Sequence, residues 1–93
     1  MPPFEHHSEA ELLLSLKAKD QHAFSYLYDN YSAALYGIVI KVLGREEVAH
    51  DVLQEVFVKI WQKIDHYDSQ KGKLYTWMLH IARNTAIDTL RSS

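Results

Sequence analysis

Both prolines of this chain stand at its extreme N-terminus, Pro2 and Pro3, and only three glycines follow in 93 residues. A proline inside a helix removes a donor and clashes with the preceding turn, and a glycine costs about 1 kcal/mol relative to alanine. Almost nothing in the interior of this sequence therefore interrupts a helix. No alternating strand pattern bounded by turn residues is present either, so the fold class expected is all-α, a compact bundle of about four helices. At this length a chain buries roughly 60–65% of the surface it exposes when unfolded, which demands an efficient core. A hydrophobic content of 47% allows one.

The periodicity places four helices. The stretch SEAE at Ser8–Glu11 is a capping box, and the helix behind it turns Leu12, Leu13 and Leu16 inward and ends near Lys19. Asp20 is a suitable cap for a longer helix whose apolar residues are Phe24, Leu27, Tyr28, Tyr31, Leu35, Ile38, Val39 and Val42. Gly44 stands where a left-handed residue would stop it. A third helix begins around residues 45–47 with acids in its first turn, and buries Val48, Val52, Leu53, Val56, Phe57, Ile60, Trp61 and Ile64. Residues 65–73, DHYDSQKGK, read as a loop. The fourth helix runs from Leu74 to Arg91, with Leu74, Trp77, Met78, Ile81 and Ala82 on one side and Asp88 at the edge of that arc. The chain thus reads as one domain over residues 8–93 behind a disordered tail, residues 1–7.

Several classes of function are disfavoured. There is no cysteine, so neither disulfides nor thiolate metal sites are available, in keeping with a reducing cytoplasm. The opening MPPFEHHSEAE has no signal-peptide cation or apolar core, and the longest apolar run, AALYGIVIKVL, is short and broken by Lys41. A membrane span needs about 18 such residues, so a soluble, cytoplasmic protein without membrane insertion is expected. No HExxH, glycine-rich phosphate loop or Cys/His constellation occurs. His6 and His7 fall in the tail, and His22, His50, His66 and His80 are scattered on or near polar faces. No catalytic residue, metal site or cofactor is expected.

Charge is more telling in its distribution than in its net value of −2. Residues 1–44 sum to −2, residues 45–68 to −3 and residues 69–93 to +3. An acidic middle and a basic end suggest two different partners. On the third helix Asp51, Gln54 and Glu55 sit at i, i+3, i+4 and form one patch, extended one turn further by Lys59. Spacing alone leaves two readings open, an ordinary solvated face or a docking strip for a basic partner helix. On the fourth helix the outer face holds Thr76, His80, Arg83, Asn84 and Arg91, with neither Glu nor Lys among them. Ahead of it His66, Tyr67 and Tyr75 interleave with Lys71 and Lys73. Aromatics among cations suit single-stranded nucleic acid, whose unstacked bases take π platforms and whose phosphates take charge. Asn84 can read a base edge, and Arg83 and Arg91 can hold phosphates. Trp77 falls within the apolar arc and is expected in the core.

In combination, D-x-x-Q-E-x-F at Asp51–Phe57 and W-x-x-x-I-A-R-N at Trp77–Asn84 resemble region 2 of the sigma-70 family of bacterial transcription initiation factors. The compact spacing is most similar to the extracytoplasmic-function subfamily, and the resemblance spans about residues 9–91. It implies that the third helix docks on the clamp coiled coil of the largest subunit of core RNA polymerase, through Asp51, Gln54 and Glu55, with Lys59 and Gln62 as additions. It further implies that the loop and last helix capture the promoter DNA non-template strand at the −10 element, with one base flipped into a loop pocket. Residues 66–75 match that loop, and His80, Arg83, Asn84 and Ile87 match the helix face, with Arg91 near the backbone. An anti-sigma factor covering both surfaces is a family-level expectation. Nothing in the sequence matches region 4, the family's −35-reading domain. The alternative is therefore an interaction module that binds polymerase or an anti-sigma factor without directing transcription.

Overall fold

The computed structural model describes residues 8–92; the expected tail at 1–7, with His6 and His7, and Ser93 lie outside them. Four helices run in order: α1 Glu9–Lys17, α2 Gln21–Leu43, α3 Glu46–Lys63 and α4 Leu74–Ser92. A single 3-10 turn, Ile64–His66, leads from α3 into the loop. No strand occurs among the described residues, and no helix there is long and apolar enough to cross a membrane.

Local chemistry sets most of the boundaries. The Ser8 hydroxyl accepts from the Glu11 amide at 3.1 Å and meets the Glu11 carboxylate at 3.3 Å, so the expected cap forms. Asp20 caps α2 by accepting from the His22 amide at 2.9 Å. Gly44 ends α2 at φ 73°, with its amide on the Ile40 carbonyl.

The first helix ends two residues before the expected point, and the reason is a Schellman motif built on lysine. The Lys19 amide bonds the Leu16 carbonyl and the Asp20 amide bonds the Ser15 carbonyl, each at 3.0 Å. Lys19 adopts φ 62°, a conformation that glycine usually supplies, so composition carries no stop signal there. Tertiary contacts hold it: its ammonium donates to the Trp61 carbonyl and lies 5.1 Å from the centroid of the Trp61 ring.

α2 packs against both α3 and α4, which also pack on each other, and α1 lies against α2 and the 3-10 turn. The core is made by Leu12 and Leu16 of α1, Leu27, Leu35 and Val39 of α2, Val52, Val56, Phe57 and Ile60 of α3, and Leu74 and Met78 of α4. Alanines also contribute: Ala23, Ala49, Ala82 and Ala86 are fully covered, at positions where a small side chain lets two backbones approach. Of these, periodicity marks Ala82 alone; Ala23, Ala49 and Ala86 carry too weak a hydropathy signal. An aromatic cluster closes the α2–α3 seam, with Phe24 edge-on to Phe57 at 6.0 Å and to Trp61 at 5.0 Å.

One correction concerns α4. Its buried arc is Leu74, Met78, Ala82, Thr85 and Ala86, whereas Trp77 and Ile81 are only half-buried. The arc is rotated toward Thr85 because α3 supplies a polar partner for that hydroxyl, as described below.

Burial should separate two leucines. Leu27→Ala is expected to cost about 2–5 kcal/mol through lost transfer energy and the cavity left behind. Leu14→Ala, at a side chain 71% exposed, should change stability by less than about 0.5 kcal/mol. Urea unfolding followed by circular dichroism checks both.

Candidate nucleic-acid and partner interfaces

The α3 patch begins with helical spacing. Asp51, Gln54, Glu55 and Gln62 are all exposed. Between Glu55 and Gln62 on the same line lies Val58, 52% exposed, which charge patterning alone overlooks. Its signal is an apolar residue at i+7 from Asp51 on an otherwise polar face. Val58 also borders a shallow groove shared with Trp61, Gln62 and, from α2, Gln21, Phe24 and Ser25. The strip is thus wholly polar from Asp51 to Glu55 and mixed beyond it, where Val58 and Trp61 lie beside Gln62. Gln54 donates to the Tyr28 hydroxyl at 3.1 Å, which fixes its side chain against α2.

Lys59 does not extend the strip outward. Its ammonium lies 3.4 Å from the Glu55 carboxylate and donates to the Thr85 hydroxyl at 3.2 Å, so it leans from α3 onto α4. Thr85 is 2% exposed, and its own hydroxyl donates to the Ile81 carbonyl at 2.7 Å. That polar side chain is therefore satisfied inside the core.

The second site is built by the loop and α4. A cavity of about 230 Å³ opens between them. The loop supplies His66, Tyr67, Asp68, Lys71, Gly72 and Lys73, and α4 supplies Thr76, Trp77 and His80. The loop's turn follows from Asp68, whose carboxylate accepts from the Gln70 amide at 2.9 Å and whose carbonyl accepts from the Lys71 amide at 3.0 Å. Gly72 then takes φ 154°, open to glycine but strained for other residues.

Thr76 and His80 also border a second depression, formed with Leu79, Arg83, Asn84 and Ile87 of α4 and Ile38 of α2. The two recesses therefore make one continuous surface. From Thr76 to Ile87 it follows α4 for about 16 Å, the reach of a few nucleotides. No acid borders the second depression, and Asp68 is the one acid at the first, beside Lys71 and Lys73.

Not every expected residue lies on that surface. Tyr75 is 38% exposed, stacks on Tyr31 of α2 at 5.5 Å, and borders neither recess. Arg91 is exposed one turn beyond Ile87. Tyr67 corrects the expectation of a free aromatic platform, since it is only 3% exposed. The 3-10 turn tucks its ring against Trp77 at 5.4 Å, and its hydroxyl donates to the Gly72 carbonyl at 2.6 Å. Trp77, expected wholly in the core, is half-buried and forms part of the cavity wall. Leu79, and Ile38, which the periodicity assigns to the apolar face of α2, complete the surface together with Asp68 and Gly72, which fall within the matched loop without being singled out individually. His22, His50, His66 and His80 are each exposed, and no three potential metal ligands come together among the described residues.

Two phenols are displaced in acidity. Burial pushes Tyr67 above the ordinary 10.0, with Glu9 and Asp68 adding to the effect. Burial likewise raises Tyr31, followed by Tyr26, Glu9 and Tyr75. A phenol whose acidity is weaker in the folded than in the unfolded chain favours folding only while neutral. Its contribution is complete below about pH 10 and is lost as the pH rises further. The fall in urea midpoint above that pH should be shallower in Tyr67→Phe than in the unmodified chain.

The α3–α4 bridge is also measurable. Thr85→Val should cost about 1 kcal/mol. Lys59→Met should cost less in the Thr85→Val background than alone, giving a coupling of about 0.5 kcal/mol or more in a double-mutant cycle.

Comparison with known proteins bears on both surfaces. The sequence model of the family described as Sigma-70 region 2 matches residues 27–93. A relative described as ECF RNA polymerase sigma factor SigK, from Mycobacterium tuberculosis (strain ATCC 25618 / H37Rv), is 32% identical over 80 residues, covering 86% of this chain and 43% of the relative. The protein of the same description from Mycobacterium ulcerans (strain Agy99) is 29% identical over 91 residues, covering 98% of this chain and 49% of the relative. The chain spans just under half the length of these relatives.

Proposed function

We propose a function from one premise: the chain belongs to the sigma-70 family, as a region 2 of the extracytoplasmic-function group. On this reading it is a transcription initiation module acting in the cytoplasm. It docks on core RNA polymerase, at the clamp coiled coil of the largest subunit, and captures the non-template strand of the −10 promoter element. The observation that carries the reading is the continuity of the loop cavity with the outer face of α4. A flipped base needs an enclosed recess, and its neighbours need a cation-bearing track that begins at the mouth of that recess.

The energetics support a division of labour. Extracting a base from the stack costs a few kcal/mol, and stacking in a protein site returns about 1–3 kcal/mol per base. Trp77 and His80 offer ring faces at the cavity, while Asn84 and Arg83 offer hydrogen bonds to base edge and phosphate one turn along. With a net charge of −2 the domain has little non-specific attraction for DNA. Polymerase docking through Asp51, Gln54, Glu55 and Gln62 would supply the missing binding energy and bring the cationic end of the chain to the opened strand. An interaction module without promoter-directing activity would use the α3 strip but has no need of the recess, and is the less favoured reading.

Two measurements test the two halves. Glu55→Lys should weaken pull-down of core RNA polymerase by at least about tenfold while the helical circular dichroism signal stays unchanged. Retained binding would remove the strip from the docking surface. In the complex with core polymerase, Asn84→Ala should reduce capture of a single-stranded −10 oligonucleotide by about tenfold relative to a scrambled strand. Unaltered discrimination would refute the base-reading assignment.

A further inference from the structure

Residues 67–73 wall the loop cavity without belonging to a helix. Their Asp68 bonds are local and shape the turn without anchoring it to the body of the domain. Two longer connections close the loop and tie it to the body. The Tyr67 hydroxyl crosses the loop to the Gly72 carbonyl at 2.6 Å, joining the two ends of the wall. The Lys17 ammonium, fifty positions away in sequence, donates to the Tyr67 carbonyl at 3.2 Å and joins the loop to the end of α1. The Tyr67 ring meanwhile packs on Trp77, the cavity residue contributed by α4. One buried tyrosine thus touches the far end of the loop, the α4 wall and, through its backbone, the first helix.

We propose that Tyr67 and Lys17 are positioning residues that hold the loop cavity in its base-accepting shape before a strand arrives, making α1 a working part of the nucleic-acid site. This rests on the reading of that cavity as the site of a flipped base. Neither residue needs to touch the base. The Tyr67 hydroxyl is committed to Gly72, and Lys17 does not border the cavity. Their contribution is preorganisation: a loop already ordered loses less conformational freedom when it closes on a ligand. Gly72 makes this necessary, because its backbone is the most permissive in the loop and sits where the wall turns into α4. Without a bond to its carbonyl, the wall that discriminates between bases would be free to change shape.

The test uses the whole 93-residue chain in complex with core RNA polymerase, with labelled single-stranded oligonucleotides identical but for one central base, read by fluorescence anisotropy. The unmodified chain should prefer one central base over the others. In Tyr67→Phe, which keeps the packed ring and loses the hydroxyl, that preference should fall by about fivefold, the worth of one well-placed hydrogen bond. Lys17→Met should show a similar fall, and Lys17→Arg, which keeps a donor, should restore the preference. Affinity for the least favoured strand should stay within about twofold throughout, since it reports phosphate attraction rather than cavity shape. A purely structural role would instead lower the melting temperature and weaken every strand alike, which overturns the proposal. So does an unchanged base preference in either Tyr67→Phe or Lys17→Met. If the unmodified chain shows no base preference at all, the base-capture reading itself fails and this inference falls with it.

Discussion

The packing of α4 into the angle between α2 and α3 is the constraint on which both candidate surfaces depend. Leu74, Met78, Ala82, Thr85 and Ala86 are sealed, and a helix buried along that line has no freedom to rotate. The outward direction of Thr76, His80, Arg83 and Asn84 follows from this and from the 3.6-residue turn. A rotation of even one residue, about 100°, would bury Arg83 and expose Met78. The alanines at 82 and 86 allow the close approach, and the Lys59–Thr85 bond adds a polar contact between α3 and α4.

The same bond places the two surfaces in one network. Glu55 belongs to the α3 strip, Lys59 pairs with it, and Lys59 also reaches Thr85, next in sequence to Asn84 on the outer face of α4. The pair with Glu55 is half-exposed and contributes little by itself. Its interest is geometric, because the strip and the outer face of α4 are linked by side chains rather than by a flexible joint.

The charge partition is another consequence of element order. The acids of residues 45–68 fall largely on α3 and the cations of residues 69–93 on the loop and α4, so separating them in sequence also separates them by helix. The anchored loop between α3 and α4 is the longest irregular stretch among the described residues. The Tyr67–Gly72 bond closes it, and the Lys17–Tyr67 bond ties it to α1, well beyond its own sequence window.

The all-α class, the number of helices, the caps at Ser8, Asp20 and Gly44, and the outer faces of α3 and α4 were legible in the sequence. Each depends on chemistry within a few residues or on a periodicity of 3.6. Three features were decided only by tertiary structure. Lys19 ends α1 because Trp61 lies above it, and no local glycine marks the stop. Tyr67 is buried and Val58 exposed, against their neighbours' pattern, because a 3-10 turn and the edge of an α2–α3 groove decide which way each faces. The cavity itself joins residues of the loop to one side of α4, with Lys17 bracing it from α1. Helical periodicity reports the faces of single helices. A recess between loop and helix forms only when separate segments meet, and that depends on contacts between residues as distant in sequence as Lys17 and Tyr67.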